Sequence, residues 1–326
     1  MKAPRLPFEK ENSMLPIRNI TIPPVFHSEA EAAELVRISE RDFDRHLSEA
    51  AQTVSEACVH DGVKIVRLSG PTCAGKTTCA AKLTNALEAA GREVYPVSLD
   101  DFFHDRNTLF AMAQQNGGKL DYDSVDALDL DLLHTCVHDL MTTGKAGMPR
   151  FNFKSGLREG PILLDTTEGR TPVFLFEGIQ AVYPKVIDML DDAPDRSIFM
   201  CVRSSITVGD VTFEPNEIRL MRRLVRDEAK RGAKPEFTLH LWHSVRENEE
   251  KSIFPEADKC DYKLDSTMPF EIHMLKPHVE RIFADHPVTG EDAPITAELL
   301  RKLSGVQSIS HKYLSKGSLY HEFILV

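Results

Sequence analysis

A strand, a glycine-rich loop and a helix in immediate succession constrain this chain most strongly. The residues GPTCAGKT, from Gly70 to Thr77, fit the pattern GxxxxGK[ST], directly after the apolar run KIVRL and before a helical stretch that ends near Gly91. In that setting the glycines let backbone N–H groups turn around a phosphate, and the helix N-terminus adds partial positive charge. The alternative, a glycine turn that opens an ordinary helix, explains less of the pattern.

The pattern therefore predicts a phosphate-binding loop for a nucleotide. Lys76 is expected at the β- and γ-phosphates and Thr77 as a magnesium ligand. The residues predicted to contact the nucleotide are Gly70, Thr72, Cys73, Ala74, Gly75, Lys76, Thr77 and Thr78. Cys73 is interpreted as a small lining residue.

Four short apolar runs predict an α/β fold. They cover residues 64–68, 94–99, 173–176 and 198–202, and helical stretches lie between them. Strands buried on both faces and alternating with helices indicate a mostly parallel sheet in a three-layer P-loop NTPase-type fold. We expect an extended arm over residues 1–27, a leading helical segment over 28–60, the P-loop domain over 61–285 and a C-terminal appendage over 286–326. Ser28 and Glu31 suit a capping box at the start of the helical segment.

Charge and composition exclude several classes of protein. The chain of 326 residues has 39 basic and 50 acidic side chains and a net charge of -11, which disfavours a general nucleic-acid or anionic-membrane binder. The sequence has no secretory signal and no apolar run of membrane-spanning length, so a cytoplasmic protein is expected. The 6 scattered cysteines indicate neither a disulfide framework nor a zinc ribbon. His134 and His138 have metal-ligand spacing without a convincing third ligand.

Carboxylates follow two of the predicted strands. Asp100 and Asp101 come after the second strand, and Glu177 ends the third. The carboxyl ends of strands are where open α/β sheets bind ligands. One of the paired aspartates can accept a proton from a substrate hydroxyl, although either can instead cap the next turn. Glu177 can hold magnesium beside Thr77.

A basic helix is predicted over residues 216–232. Apolar side chains occupy one face, at Ile218, Met221, Leu224 and Val225, while the other face carries Arg219, Arg223, Arg226 and Lys230. A solvated helix face is one interpretation of this pattern. The other is a helical lid whose arginines neutralise charge on a transferring phosphoryl group.

The motifs together resemble the uridine kinase and phosphoribulokinase family. The GTPase patterns Asn-Lys-x-Asp and Asp-x-x-Gly do not occur, whereas SLDDFF, DSVDALD, PRFNFKSGLR, FEGI and RLMRRLVRDEAKRG follow the loop in the family's order. The resemblance runs from about residue 60 to about residue 285. It is closest to uridine kinase-like enzymes of larger proteins, whose N-terminal tRNA-synthetase-like region has no counterpart in this sequence.

The resemblance implies roles for individual residues at the reaction centre. Asp100 would be the catalytic base, Lys76 would act on the transferring phosphate, and Glu177 with Thr77 would serve magnesium. The lid arginines matching the family's phosphate contacts are Arg223, Arg226 and Arg231, of which Arg223 and Arg226 are assigned to catalysis and Arg223 also to the reacting end of the substrate.

Substrate contacts are implied as well. Asp123 would hold ribose hydroxyls, with a helix N-cap as its alternative role, because Asp126 follows three residues later. Arg158 matches the end of a small substrate hairpin, and its alternative is a structural salt bridge. Phe151 and Gly156 stand where uridine kinases carry a tyrosine and a histidine that recognise the pyrimidine, so we expect Phe151 to stack on a base and Gly156 to leave room.

The expected function is an ATP-dependent small-molecule kinase, with a nucleoside hydroxyl as the acceptor and ATP and Mg²⁺ as cofactors. Two alternatives stay open. One is a P-loop kinase for a sugar, a sugar phosphate or another small alcohol, and the other is a non-catalytic ATP-sensing module. The residues from Gln180 to Tyr183 differ from the pattern usual in the subgroup, which indicates a remodelled pocket. A homo-oligomer is compatible with the sequence.

Overall fold

A computed structural model describes residues 18–115 and 122–324 of the chain. Its strands are β1 (Asn19–Ile22), β2 (Ile65–Ser69), β3 (Glu93–Ser98), β4 (Lys145–Asn152), β5 (Leu157–Asp165), β6 (Pro172–Glu177), β7 (Asp195–Cys201), β8 (Ser205–Val208), β9 (Val211–Phe213) and β10 (Tyr262–Asp265). Its α-helices are α1 (Glu29–His60), α2 (Lys76–Ala89), α3 (Arg106–Gln115), α4 (Leu130–Thr143), α5 (Pro184–Met189), α6 (Pro215–Arg231), α7 (Pro235–Asn248), α8 (Phe254–Ala257), α9 (Glu271–Asp285) and α10 (Ala293–Leu303).

The central sheet has five strands in the order β10-β7-β2-β6-β3. Every neighbouring pair in it is parallel. Four of these strands coincide with the four predicted apolar runs to within a few residues. The predicted α/β class with a mostly parallel sheet is confirmed, because helical crossovers connect parallel strands and cover both faces.

Side chains that alternate along the strands divide the core into two layers. In β2, Val66 and Leu68 pack in the layer that includes α1, α2, α6 and α9, whereas Ile65 packs in the opposite layer with α4. The same alternation separates Leu175 from Phe174 in β6. A strand covered on both faces needs apolar residues at successive positions, which explains the unbroken apolar runs in the sequence.

The leading helical segment is one helix of 32 residues, α1. The Ser28 hydroxyl accepts a hydrogen bond from the Glu31 amide at 3.2 Å, so the predicted cap is present. The predicted arm lies largely outside the described residues, and its remainder contains β1, which pairs in parallel with β8. No helix in residues 18–115 and 122–324 combines the length and apolarity needed to cross a membrane.

Two additions flank the sheet. The antiparallel pair β4–β5 forms the small hairpin that the sequence predicted. The C-terminal appendage consists of α10 followed by two 3₁₀ turns, His311–Tyr313 and Leu319–Glu322. Leu319, Tyr320 and Phe323 of its final turn are buried, so this turn is part of the core and not a loose tail.

Candidate active site

The strand order brings three sequence motifs to one edge of the sheet. β6 lies between β2 and β3, and Glu177 at its end is in register with Leu68 on one side and with Ser98 on the other. The loop that follows β2 and Asp100, two residues beyond Ser98, therefore flank Glu177. Parallel strands end at the same edge, which is where this class of sheet binds ligands.

The phosphate loop has the backbone geometry that its glycines permit. A Cβ atom at Gly70 would lie 2.0 Å from the carbonyl oxygen of Met200, so no side chain fits there. Gly75 has φ +98° and Cys73 has φ +58°, both in the left-handed region. Lys76 opens α2, and its ammonium group donates to the carbonyl oxygens of Gly70 at 2.8 Å and Pro71 at 3.1 Å. The loop thus curls around its own lysine, and the α2 N-terminus faces the same space.

Thr77 and Glu177 meet as the sequence predicted. The Thr77 hydroxyl donates to Oε1 of Glu177 at 3.4 Å. Burial raises the pKa of Glu177 to about 7, although the nearby Lys76 charge lowers it. A carboxylate that is partly desolvated gains from a cation, and hydroxyl and carboxylate oxygens are the ligands that Mg²⁺ prefers. The two residues therefore fit a magnesium ion.

The paired aspartates have different surroundings. Asp100 borders a cleft, and burial raises its pKa above the ordinary value, with Lys76 lowering it and Asp101 raising it further. Asp101 instead accepts a hydrogen bond from the Phe151 amide at 3.0 Å and so ties the hairpin to the sheet. Asp100 is the member of the pair that a substrate can reach.

The cleft beside Asp100 has a volume of about 1270 Å³. It brings together residues that the sequence placed in the site from four separate segments, namely Thr72, Asp100, Asp123, Arg223, Arg226 and Arg231. A further part of the lining comes from α7, with His240, His243, Ser244 and Glu247. The helical pattern of this segment does not mark these residues as part of a site.

Three arginines of α6 reach the cleft around one carboxylate. Asp227 lies 2.7 Å from Arg226, 3.3 Å from Arg223 and 3.5 Å from Arg231. The side chains of Arg223 and Arg226 are only 9% and 12% exposed, whereas that of Arg231 is 60% exposed. One carboxylate thus faces three guanidinium groups, which leaves excess positive charge at this end of α6.

Two other arginines of α6 are fully buried, which corrects the predicted basic face. Arg219 forms an ion pair with Glu249 at 2.6 Å, and one of its nitrogens donates to the Thr72 carbonyl at 3.3 Å. Arg222 pairs with Glu271 at 2.7 Å and donates to the Cys73 carbonyl at 3.3 Å. Arg219 thus belongs neither to a solvated face nor to a phosphate clamp. Both residues donate hydrogen bonds to backbone carbonyl groups of the phosphate loop.

Asp123 lines the cleft, and its alternative role as an N-cap is taken by its neighbour. The Ser124 hydroxyl accepts from the Asp126 amide at 3.2 Å and caps the short turn there. The Asp123 carbonyl accepts from the Tyr183 hydroxyl at 3.0 Å, and the Gln180 side chain donates to the preceding carbonyl, of Tyr122, at 2.9 Å. The unusual Gln180–Tyr183 stretch therefore holds the segment that places Asp123 at the cleft.

The hairpin residues are placed differently from the expectation. Phe151 is buried, with 7% of its surface exposed, and packs edge-on against Phe103 and Phe153 at ring-centre distances of 5.6 and 5.2 Å. The aromatic rings that line the cleft are instead those of Phe103, Tyr122 and Phe153, of which Phe153 is 60% exposed. Sequence reasoning passed over Phe153, although it stands two residues after Phe151.

Gly156 and Arg158 serve the framework of the site. A Cβ atom at Gly156 would lie 2.5 Å from Nε of Arg106, so the space expected to be open is filled by that guanidinium group. Arg158 forms a salt bridge with Asp129 at 3.0 Å and donates to the Phe103 carbonyl at 3.1 Å. The structural role that the sequence left open for Arg158 is the one observed.

The histidine pair and the tryptophan lie outside the site. His138 pairs with Asp192 at 3.3 Å, and its ring lies 6.2 Å from that of His134. Within the part of the chain that the structure describes, no cluster of three or more His, Cys, Asp or Glu side chains could hold a metal ion. Trp242 is buried in the core, with the Arg219 guanidinium 5.3 Å from its ring centre.

Comparison with known proteins identifies a family and several relatives of this chain. The sequence model described as the phosphoribulokinase / uridine kinase family matches residues 65–271. The protein named inorganic pyrophosphatase TTM2 from Arabidopsis thaliana is 29% identical over 211 residues, which is 64% of this chain and 26% of that protein. Uridine-cytidine kinase B from Dictyostelium discoideum is 28% identical over 261 residues, covering 78% of this chain and 84% of that protein.

Coverage varies among these relatives. Uridine-cytidine kinase A from Dictyostelium discoideum is 29% identical over 180 residues, or 55% of this chain and 31% of that protein. The chain thus spans about a quarter to a third of the TTM2 protein and of uridine-cytidine kinase A. A solved structure of D-glycerate 3-kinase from Cryptococcus neoformans aligns with a TM-score of 0.47 at 15% identity, covering 67% of this chain and 92% of that one.

Proposed function

Because this chain belongs to the phosphoribulokinase / uridine kinase family of P-loop kinases, we propose that it transfers the γ-phosphoryl group of ATP to a hydroxyl group of a nucleoside. One observation carries the proposal. A single cleft is lined by Asp100, whose carboxylate can accept a proton, by arginines of α6 and by Asp123. A protein that only binds a nucleotide needs a phosphate loop but no proton acceptor beside it.

Asp100 acts as the general base. Burial raises the pKa of this carboxylate, so it holds a proton more readily than an exposed aspartate does. The oxygen of the acceptor hydroxyl attacks the γ-phosphorus while the hydroxyl proton moves to Asp100. The bond between the γ-phosphorus and the oxygen that bridges it to the β-phosphate breaks, and ADP leaves. The Asp101 carboxylate stays on the Phe151 amide and keeps the hairpin in place.

Cations of the chain stabilise the charge on the phosphates. Lys76, Arg223 and Arg226 surround the position where the γ-phosphoryl group must pass, and guanidinium donors interact most strongly with the developing charge. Thr77 and Glu177 would hold Mg²⁺, which neutralises charge on the phosphate oxygens when it is bound. Arg231, whose side chain is 60% exposed at the cleft, would contact the phosphates as part of the lid.

A nucleoside acceptor fits the remaining walls. Asp123 offers a carboxylate to ribose hydroxyls, and the exposed rings of Phe153 and Tyr122 offer aromatic faces on which a base can stack. Uridine-cytidine kinase B matches 78% of this chain, which supports the same acceptor class. In this proposal a base is held by stacking more than by hydrogen bonds, so purine and pyrimidine ribonucleosides are used at comparable rates.

The decisive experiment is a turnover panel with the purified chain. ATP or GTP is offered with each ribonucleoside, with sugars, with sugar phosphates and with pantothenate, and Lys76→Ala serves as the blank. Phosphorylation of ribonucleosides well above the blank supports the proposal. Turnover confined to a sugar or another alcohol reassigns the acceptor, and ATP binding without transfer to any acceptor supports a sensing module.

A further inference from the structure

The end of the described chain lies on the phosphate loop. We call residues 318–324 the C-terminal strap. A Cβ atom placed on Gly75 would lie 2.6 Å from Cδ1 of Leu319, so the strap is in direct contact with the second glycine of the loop. Leu319 and Tyr320 are almost completely buried there. The strap therefore covers one side of the site at which a nucleotide is expected.

The strap also places a carboxylate on a loop amide. Oε2 of Glu322 accepts a hydrogen bond from the backbone N–H of Thr78 at 3.3 Å. Thr78 is the third residue of α2. Amides at the first positions of a helix have no partner within the helix, and in a phosphate loop they point at the ligand. The Glu322 carboxylate thus accepts a hydrogen bond from an amide that is expected to donate to phosphate.

Buried contacts fix the strap in this position. The Tyr320 hydroxyl donates to the carboxylate of Glu271, which is itself paired with Arg222. The Arg222 guanidinium lies 4.9 Å from the ring centre of Phe323. On the outer side, the Lys230 ammonium group donates to the carbonyl oxygen of His321 at 2.6 Å. The backbone of the strap is held, so the Glu322 side chain is the part that can turn away.

We propose that the Glu322 carboxylate competes with the phosphate chain of the nucleotide for the Thr78 amide, so that the C-terminal strap lowers the affinity for ATP. One amide cannot serve both anions, and a carboxylate left beside a triphosphate repels it. Binding therefore requires that Glu322 rotate out, which reduces the apparent affinity by the fraction of molecules in which the amide is free. This inference rests on the proposed function only in that a nucleotide binds at the loop.

The hydrogen bond between the Thr78 amide and Glu322 can also be interpreted as an ordinary helix cap. A carboxylate near a helix N-terminus stabilises the helix whether or not a ligand binds. The two interpretations predict different changes in nucleotide affinity when the carboxylate is removed. Removing a competitor tightens ATP binding, whereas removing a simple cap lowers the melting temperature and leaves ATP binding unchanged or weaker.

The test compares nucleotide affinity in three proteins by isothermal titration. They are the unaltered chain, Glu322→Gln and the control Glu298→Gln, which makes the same charge change at an exposed residue paired with Arg301 on α10. We expect Glu322→Gln to lower the dissociation constant of ATP at least about 5-fold, the lower end of the usual coupling between two ligands. Inorganic triphosphate should respond in the same direction, and adenosine, which has no phosphate, should not.

The outcomes separate the inference from the proposed function. Tighter ATP binding by Glu322→Gln alone supports competition. Unchanged or weaker binding by that variant overturns competition and leaves the kinase assignment standing. If neither the unaltered chain nor Glu322→Gln binds ATP, the proposed function fails and competition fails with it. Glu322→Ala provides a second variant, and circular dichroism checks that each protein is folded.

Discussion

The hydroxyl oxygen of Thr77 lies 3.4 Å from Oε1 of Glu177, although 100 residues separate the two in the chain. Thr77 follows the first lysine of α2, and Glu177 ends β6, the sheet neighbour of β2. The sheet order is therefore what creates the candidate magnesium site. A substitution at either residue should therefore weaken metal binding more than it destabilises the fold.

Glu177→Gln tests this pair. The substitution keeps the side-chain shape and removes a charge that is costly to bury, so we expect no loss of stability. We expect the Mg²⁺ concentration for half-maximal turnover to rise at least about 10-fold, because even groups that only support metal ligands contribute that much. Turnover is measured against Mg²⁺ at saturating ATP. An unchanged metal dependence would remove Glu177 from the site.

Asp100→Asn should separate chemistry from binding. We expect turnover to fall roughly 100-fold or more with ATP affinity unchanged within a few-fold, because the variant loses only proton acceptance. The matched control is Asp101→Ala, which leaves the Phe151 amide without its acceptor and should cost about 1 to 3 kcal/mol of unfolding free energy. Equal losses of ATP affinity and turnover in Asp100→Asn would make Asp100 a structural residue.

Neighbouring arginines of α6 should give opposite phenotypes. Arg222→Ala leaves Glu271 charged and buried without its partner, and we expect a loss of about 3 to 5 kcal/mol in unfolding free energy. Arg223→Ala should cost only about 1 kcal/mol of stability. Its turnover should nevertheless fall at least about 100-fold, since in the proposed mechanism its guanidinium group donates to the transferring phosphate. Urea unfolding and steady-state kinetics on both variants decide the matter, and normal kinetics for Arg223→Ala would exclude it from the lid.

Acceptor recognition is tested by Phe153→Ala and Asp123→Ala. Loss of the exposed ring should raise KM for every ribonucleoside by a similar factor, since stacking contributes about 1 to 3 kcal/mol for any base. Phe237→Ala is the control, because Phe237 is also 60% exposed. Asp123→Ala should abolish discrimination between ribonucleosides and their 2′-deoxy forms. A strong preference of the unaltered protein for uridine and cytidine over purines would contradict recognition by stacking.

His273 should contribute a loss of stability in mild acid. Burial lowers the pKa of this side chain below its ordinary value of 6.5, and its Nδ1 lies 2.6 Å from the Gln307 carbonyl. The unfolded chain takes up a proton below about pH 6.5 while the folded chain does not, so stability is full above that pH and declines below it. The raised pKa of Glu177, about 7, acts in the opposite direction over the same range in both proteins, so the contribution of His273 is the difference between the melting curves of the unaltered chain and His273→Gln from pH 7.5 to 5.5. On acidification the unaltered chain should lose stability relative to His273→Gln, and parallel curves would remove His273 from the pH dependence.

Much of the site was readable in the sequence because its parts are local. The loop between Gly70 and Thr77, Asp100 and Glu177 each stand at the end of an apolar run that predicts a buried strand. In a parallel sheet such ends share one edge, so their proximity follows from the pattern alone. The shared location of Arg223 and Arg226 could be predicted for a similar reason, since helical periodicity places residues three positions apart on one face of a helix.

What the sequence could not show depends on distant partners and on the ends of elements. Arg219 and Arg222 look like surface charges, because the glutamates that neutralise them lie 30 and 49 residues away. Phe153 lies in the turn just beyond β4, where alternation along the strand no longer decides which ring is buried. The filling of the space at Gly156 by Arg106 likewise joins two segments that no periodicity relates.

The contact between Thr78 and Glu322 spans 244 positions of the chain, and this separation has a consequence for biosynthesis. At ordinary elongation rates the ribosome needs roughly ten to fifty seconds to make that length. The central sheet can be complete once β10, which ends at Asp265, has been made, and for the last part of this interval the carboxylate that will cover the amide does not yet exist. A nascent chain should then hold ATP more tightly than the finished protein. ATP bound at that stage would stabilise the growing domain by mass action, and completing the strap would release it.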